Sequence, residues 1–554
     1  MTSSLIRGRP RRGTSHISVR VVHALVGGLI GMVWLVLPGM TIASGGPVAG
    51  GGGADRPVAG AVPQGQDEET SAADLVLPVM AVVVAGVLAG YGLVRRRRRA
   101  RERTTPGGAP VREAEPPVGE LDERARALLV EADDWVRVGR EELGFAEGRF
   151  GAEGVEPFAR ALRDAEGELA VAFRMRWQYE GGVPDESAAR RHVLAGIVGR
   201  CAEAGRLLDA QAAAFDQLRG LEEGLGGGLG EALAVAEARF RELTGRAGGT
   251  DATLGELAER YAPSATAAVT GHVEQAKDRL VFATTRLNQA RQLADAGENE
   301  RAAGRLRAAE GAIAQAAVLI DGVDRLAGEL ATAATMVPAA LTGGEAEIAG
   351  ARESLTGVTD PYREDPYADV PPGELRARVA HADLVLAGVR EELTSGPYDP
   401  LDLLRRIVRA VAPVVAGRAG VIPAAALCCA HSAVAGADDV VATHRAAVSD
   451  EARTRLAEAR RLLAPPASMA PGRAVRRELD DLLAADTLAR QARELAEQDV
   501  RVHGHPIDGP DKDVNGLAGA VLGGVLLGGE PHGGPPAAFG GPRTRGRRGD
   551  TDGT

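Results

Sequence analysis

Residues 272–330 read HVEQAKDRLVFATTRLNQARQLADAGENERAAGRLRAAEGAIAQAAVLIDGVDRLAGEL, and the spacing of their apolar side chains decides the fold. Val273, Ala276, Leu280, Ala283, Leu287 and Ala290 recur at intervals of three and four, the period of one helix face. Asp295, Ala296, Gly297, Glu298 and Asn299 interrupt that pattern. It resumes at Leu306, Ala309, Ile313, Ala316, Ile320 and Val323 and runs on through Ala327 and Leu330. Large and small residues alternate along both stripes, so two helices can approach closely, and the short polar connection makes them antiparallel. The spacing predicts a helical hairpin over residues 271–332, each arm roughly 40 Å long at a rise of ~1.5 Å per residue.

The same spacing extends outward from this hairpin. Leu121, Ala125, Leu128, Ala132 and Trp135 form one stripe, and Val155, Phe158, Leu162, Ala165, Leu169 and Ala172 a second. Leu194, Ile197, Cys201, Ala204, Leu208, Gln211, Phe215 and Leu218 form a third. Further helices are expected near 373–394, 400–412, 424–463 and 473–499, between proline and glycine breaks. Their unequal lengths lack the fixed 34-residue period of a tetratricopeptide array. The chain holds only 3 Trp, 6 Tyr and 8 Phe among 554 residues, too few for several aromatic cores, and alanine takes the alternate seam positions instead. The expected class is therefore mainly α. An elongated, Ala-rich, antiparallel, coiled-coil-like region covers residues 120–500, and a disordered Gly/Pro-rich tail covers 501–554.

The amino-terminal part reads as topology. The net charge of −11 is unevenly placed. Residues 1–20 hold Arg7, Arg9, Arg11, Arg12 and Arg20 and no acid, and an uncharged apolar stretch follows up to Ala43. Residues 1–43 are thus a signal peptide or a first transmembrane helix. Residues 44–74 are a short, acidic, Gly/Pro-rich extracytoplasmic segment. Leu75 to Val94 is free of Asp, Glu, Lys and Arg and long enough to cross a bilayer. Arg95, Arg96, Arg97, Arg98 and Arg99 follow at once as a stop-transfer signal, so residues 95–119 form a basic, Pro-rich linker on the cytoplasmic side. Everything beyond Arg103 is then strongly acidic, a surface that repels nucleic acid.

No cluster announces a reaction. Gly226, Gly227, Gly228 and Gly230 precede a helix but follow no strand, so they read as an interhelical turn. Lys277 and Lys512 are the only lysines, and neither completes a phosphate-binding loop. Asp511, Asp513, Asn515 and Gly516 match half of a calcium loop, but Leu522 stands where the bidentate glutamate is required. His503 and His505 lack a third metal ligand, and Cys201, Cys428 and Cys429 fall in apolar stripes as reduced thiols. No catalytic residue, cofactor, metal or small-molecule substrate is identified from the sequence.

Several stretches resemble a known family. They are Phe240–Gly245, Arg260–Ser264, the run Val273–Thr285, Gly396–Pro400, Gln491–Val500 and Gly519–Gly524. Together they resemble the cytoplasmic helical part and Gly-rich tail of actinobacterial TPM-domain membrane proteins. The resemblance implies a signal peptide, an extracytoplasmic α/β TPM domain, one span and an alanine-rich helical region. It also implies a phosphatase or protein-quality-control role for the TPM domain. Only residues 44–74 occupy that domain's place, so no site residue carries over.

Three functions follow as expectations. The first is a non-enzymatic helical scaffold anchored in the plasma membrane, its carboxy-terminal region cytoplasmic, binding protein partners or itself through its seams. The alternatives are a phosphatase-like or quality-control envelope protein, from the resemblance, and a coiled-coil sensor of membrane stress.

Overall fold

The polar break at 295–299 is a tight turn. Gly297 adopts φ 79°, a conformation that costs glycine little, and the chain reverses between helices His272–Asp295 and Asn299–Leu355. The protein's structure, a computed structural model, describes residues 116–182, 187–221, 228–356, 366–464, 474–503, 519–525 and 538–545. In chain order its principal helices are α1 (Val118–Glu180), α2 (Ser187–Arg219), α3 (Leu229–Arg260), α4 (His272–Asp295) and α5 (Asn299–Leu355). They continue with α6 (Pro372–Ser395), α7 (Pro400–Val411), α8 (Val421–Thr443), α9 (Asp450–Leu463) and α10 (Ala474–His503). The described residues are mainly α-helical and contain no strand.

Helix α5 is the axis of this assembly. Its amino-terminal half packs against α3 and α4, and its carboxy-terminal half against α6, α7 and α8. The seam residues Leu306, Ala309, Ile313, Ala316, Ile320 and Val323 are all buried, as are Val273, Ala276, Leu280, Ala283, Leu287 and Ala290 on α4. Ala303, Ala308, Ala312 and Leu319, which lie off that stripe, are buried too. Between residues 302 and 320 no position of α5 is exposed, which places this stretch within a multi-helix core. The hairpin arm also runs past residue 332 to Leu355.

Helices α1 and α2 form a second hairpin around Leu129, Trp135, Leu162, Phe173, Leu194, Ile197, Leu208 and Phe215. Helix α1 is two helices joined at Gly151, whose φ of 72° and ψ of 167° are not helical, and the second runs back along the first, bringing Arg176 to Asp122 and Glu166 to Arg140. The helix expected over 424–463 is two helices. At the corner between α8 and α9 the side chain of Arg445 is buried against Glu141, and the Ala446 amide donates to Leu522 at 3.0 Å. Tertiary partners there take the groups that a continuous helix would have used.

Buried ion pairs join the parts. Arg453 donates to Asp133 at 2.6 Å and Asp134 at 2.8 Å, linking α9 to α1. Arg219 at the end of α2 bonds Glu310 of α5 at 2.5 Å and Glu142 of α1 at 3.3 Å. Burial works against the charge of Asp133, but Arg137 and Arg453 hold its carboxyl well below the usual carboxylate range.

Helix α8 is the one described helix long and apolar enough to cross a membrane by length and composition. Here it packs on α5, α7, α9 and α10, and its Asp438 and Asp439 pair with arginines of α1, α5 and α9. Those contacts are what a core helix makes. The expected span Leu75–Val94 and the arginines Arg95–Arg99 lie outside the described residues.

Candidate functional site

Two features of the helical body have the geometry of recognition. The first is a groove between α1 and α2 that holds part of the chain's own tail. Phe539 is fully buried, its ring 4.5 Å from Phe215 and 6.2 Å from Phe158, with the Phe158 ring edge-on to that of Phe215 at 5.1 Å. Gly541 lies directly on the backbone of Gly205, a contact with no space for a side chain on either partner. Beyond it the Asp209 carboxylate of α2 accepts four hydrogen bonds. They come from the Gly541 amide at 2.8 Å, the Arg543 amide at 3.2 Å, the Thr544 amide at 3.1 Å and the Thr544 hydroxyl at 2.7 Å. Asp209 thereby caps the single helical turn at 542–545 from outside the segment.

A second piece of the tail, residues 519–525, lies on α5 and the α8–α9 corner. Gln315 donates to the Gly523 carbonyl at 2.7 Å, and Ala520 and Val525 join the core of α4 and α5. For these two segments the expectation of disorder is corrected. Glycine content reads as flexibility in composition, yet here it permits backbone to lie flush on a helix.

The second feature is a cavity of about 360 Å³ where the start of α4, the middle of α5 and α8, the start of α7 and the carboxy-terminal half of α10 meet. His272, Arg325, Glu329, Ser432, Asp439 and Arg493 supply its polar wall. Ser264, Ala267, Arg490 and Glu494 are exposed at its mouth. Gly322 lets these groups come close to the backbone of α5: a Cβ there would stand 2.9 Å from Asp439 Oδ2 and 3.6 Å from His272 Nδ1.

The charged groups of this wall largely satisfy one another. Arg325 pairs with Asp439 and, at 3.4 Å, with Glu329, which accepts from Ser432 at 2.7 Å. Arg493 donates to Glu497 at 2.7 Å and to the Ala268 carbonyl at 3.0 Å, and Arg405 donates to Asp486 at 2.9 Å. His272 differs from them. It is 8% exposed, and its Nδ1 has no hydrogen-bond partner. Burial, followed by the positive charge of Arg493, lowers its pKa to about 4, so the ring is neutral at physiological pH. Burial pushes the Asp439 carboxyl up to about 6 in spite of the adjacent Arg325 guanidinium.

The thiols take no part in either feature. Cys201 and Cys429 are buried, and burial pushes both up to about 12; Cys429 donates weakly to the Leu401 carbonyl. His505 and the half calcium loop at 511–516 lie outside the described residues. Among the described residues no group of three or more His, Cys, Asp or Glu side chains is placed to hold a metal ion. Sequence reasoning missed the cavity residues because they come from five helices and the segment 264–269, most of them distant along the chain. One signal was available: the adjacent carboxylates Asp438 and Asp439 inside the otherwise apolar run 421–443.

Over 443 residues the chain is 30% identical to UPF0603 protein MT2410 and to UPF0603 protein Rv2345, from two strains of Mycobacterium tuberculosis. The chain is homologous to mycobacterial UPF0603 proteins. The aligned region is 77% of this chain and spans 64% of the length of those relatives. No protein-family profile matches the chain, the TPM domain included, and no solved structure matches it. The actinobacterial part of the resemblance therefore stands on a relative, and the TPM part has no match.

Proposed function

We propose that this protein is a non-enzymatic helical scaffold, anchored in the plasma membrane with its helical body in the cytoplasm. It works by recognising peptide segments in the α1–α2 groove, in another copy of itself or in a partner protein. The observation that carries the proposal is the seating of Phe539–Arg545, where an aromatic anchor, a close glycine contact and a four-bond cap fix one short sequence. Aromatic anchors in desolvated pockets with a polar rim are how peptide recognition surfaces concentrate their affinity. The seams of α4 and α5 are occupied within the chain, so association is assigned to this groove instead.

The test uses the full chain, its Phe539→Ala variant and a labelled peptide of residues 536–547, read by fluorescence anisotropy. The variant, with its own tail loosened, is expected to bind the peptide at least about tenfold more tightly than the unaltered chain, the loss of a buried phenylalanine being worth ~3–5 kcal/mol. Adding Asp209→Ala to the variant should abolish the gain. Equal binding by both chains, or binding by neither, would refute the assignment.

A further inference from the structure

The cavity beside Gly322 contains a buried acceptor with nothing to accept. An unpartnered buried polar atom is costly, and native proteins leave few without a reason. His272 Nδ1 faces the same small volume as Asp439 Oδ2, since the point where a Gly322 Cβ would lie is within 3.6 Å of both. A glycine in the middle of a helix gives up about 1 kcal/mol relative to alanine, and at this position it admits the Asp439 carboxylate to the helix backbone beside His272.

The field in the cavity selects the kind of molecule. Arg493, Arg325 and Arg279 disfavour positive charge on His272, and they would disfavour a ligand cation there for the same reason. Asp439 and Glu329 line the same cavity and disfavour an anion. The guanidiniums of Arg325 and Arg493 are engaged with carboxylates and a carbonyl, so they offer directed N–H groups rather than an unbalanced charge. What remains is a wall that carries both acceptors and donors. Hydroxyl groups suit such a wall because each donates once and accepts twice. The volume lies at the lower end of the range for small-ligand sites.

We propose that this cavity binds a small uncharged polyol of monosaccharide size, one hydroxyl donating to His272 Nδ1 and a neighbouring hydroxyl meeting Asp439. Arg493 and Arg490 donate to the hydroxyls nearer the mouth. The site is independent of the peptide groove, and neither reading needs the other.

Isothermal titration calorimetry on the full chain tests it at neutral pH. The probes are glucose, mannose, galactose and myo-inositol, with inorganic phosphate and putrescine as charged counterparts. At least one polyol is expected to bind with one-to-one stoichiometry, and neither charged probe should compete. Gly322→Ala, whose Cβ would press on Asp439 Oδ2 beside His272 Nδ1, should weaken polyol binding about tenfold or more, the scale of one lost buried hydrogen bond. His272→Phe should do the same, with circular dichroism confirming an intact helical fold in both variants. Binding by no polyol, binding indifferent to both substitutions, or preference for phosphate or putrescine would each overturn the proposal.

Discussion

His272 and Asp439 occupy one cavity and respond to acid in opposite senses. The histidine's pKa is lowered from 6.5 to about 4, so between those values the unfolded chain binds more protons and acidification costs stability. The aspartate's is raised from 3.8 to about 6, so over that interval the folded chain holds the extra proton and acidification restores stability. Above pH 6.5 neither contribution varies. The two slopes oppose each other from about pH 6 down to about pH 4, and the unaltered protein should show a shallow dependence from this pair. Asp439→Asn removes one slope. Its unfolding free energy in urea, measured at intervals from pH 7 to pH 4.5, should fall more steeply on acidification than that of the unaltered chain. Parallel profiles would show that the two groups do not titrate as their burial implies. In the sequence His272 is only a helix-start residue, while Asp439 stands out solely through its place beside Asp438 in the run 421–443.

At the scale of elements, the helical class was legible because period and turn chemistry are local properties. The stripe from Leu306 to Val323 and the break at 295–299 fix a hairpin without reference to anything distant. What lay beyond local reading was the covering of α5 on its remaining faces. Alanine has no size contrast with which to mark a buried face, so Ala303, Ala308 and Ala312 give no sign in the sequence of being enclosed. That distinction predicts a contrast between two identical substitutions on α5. Ala309 is fully buried, and Ala309→Leu should overpack the core at a cost of about 1–3 kcal/mol. Ala331 is exposed, and Ala331→Leu should stay within about 0.5 kcal/mol of the unaltered chain. Urea midpoints of the two variants decide the matter, and equal costs would mean that α5 is not enclosed. The corner at 444–449 escaped the sequence for the complementary reason: α8 and α9 have compatible helical spacing, and the groups that part them belong to α1 and the tail.

Across the helical body, separate cores are held in one arrangement by a few buried charges. Arg453 is the clearest of them, its side chain 1% exposed and donating to Asp133, Asp134 and the Val130, Val448 and Arg445 carbonyls. Such an arginine adds little net stability relative to a well-packed apolar replacement of the whole cluster, but removing it alone takes the ion-pair partner from Asp134, leaves Asp133 with Arg137 only and strips three backbone carbonyls of a donor. Arg453→Met should therefore cost about 3–5 kcal/mol, more than a surface ion pair could account for. The loss should also be placed. Hydrogen exchange is expected to rise in the first half of α1 and in α9, which Arg453 joins, while α4 and the adjoining half of α5 keep their protection behind their own core. If the tail segments act as straps, residues 519–525 should lose protection with α9, because the Ala446 amide holds Leu522 at the corner that Arg453 supports. Uniform deprotection of every helix would mean that the body unfolds as one unit and that the buried charges do not divide it. Protection lost only around Arg453 would place the arrangement of the helical cores under the control of the ion pairs between them.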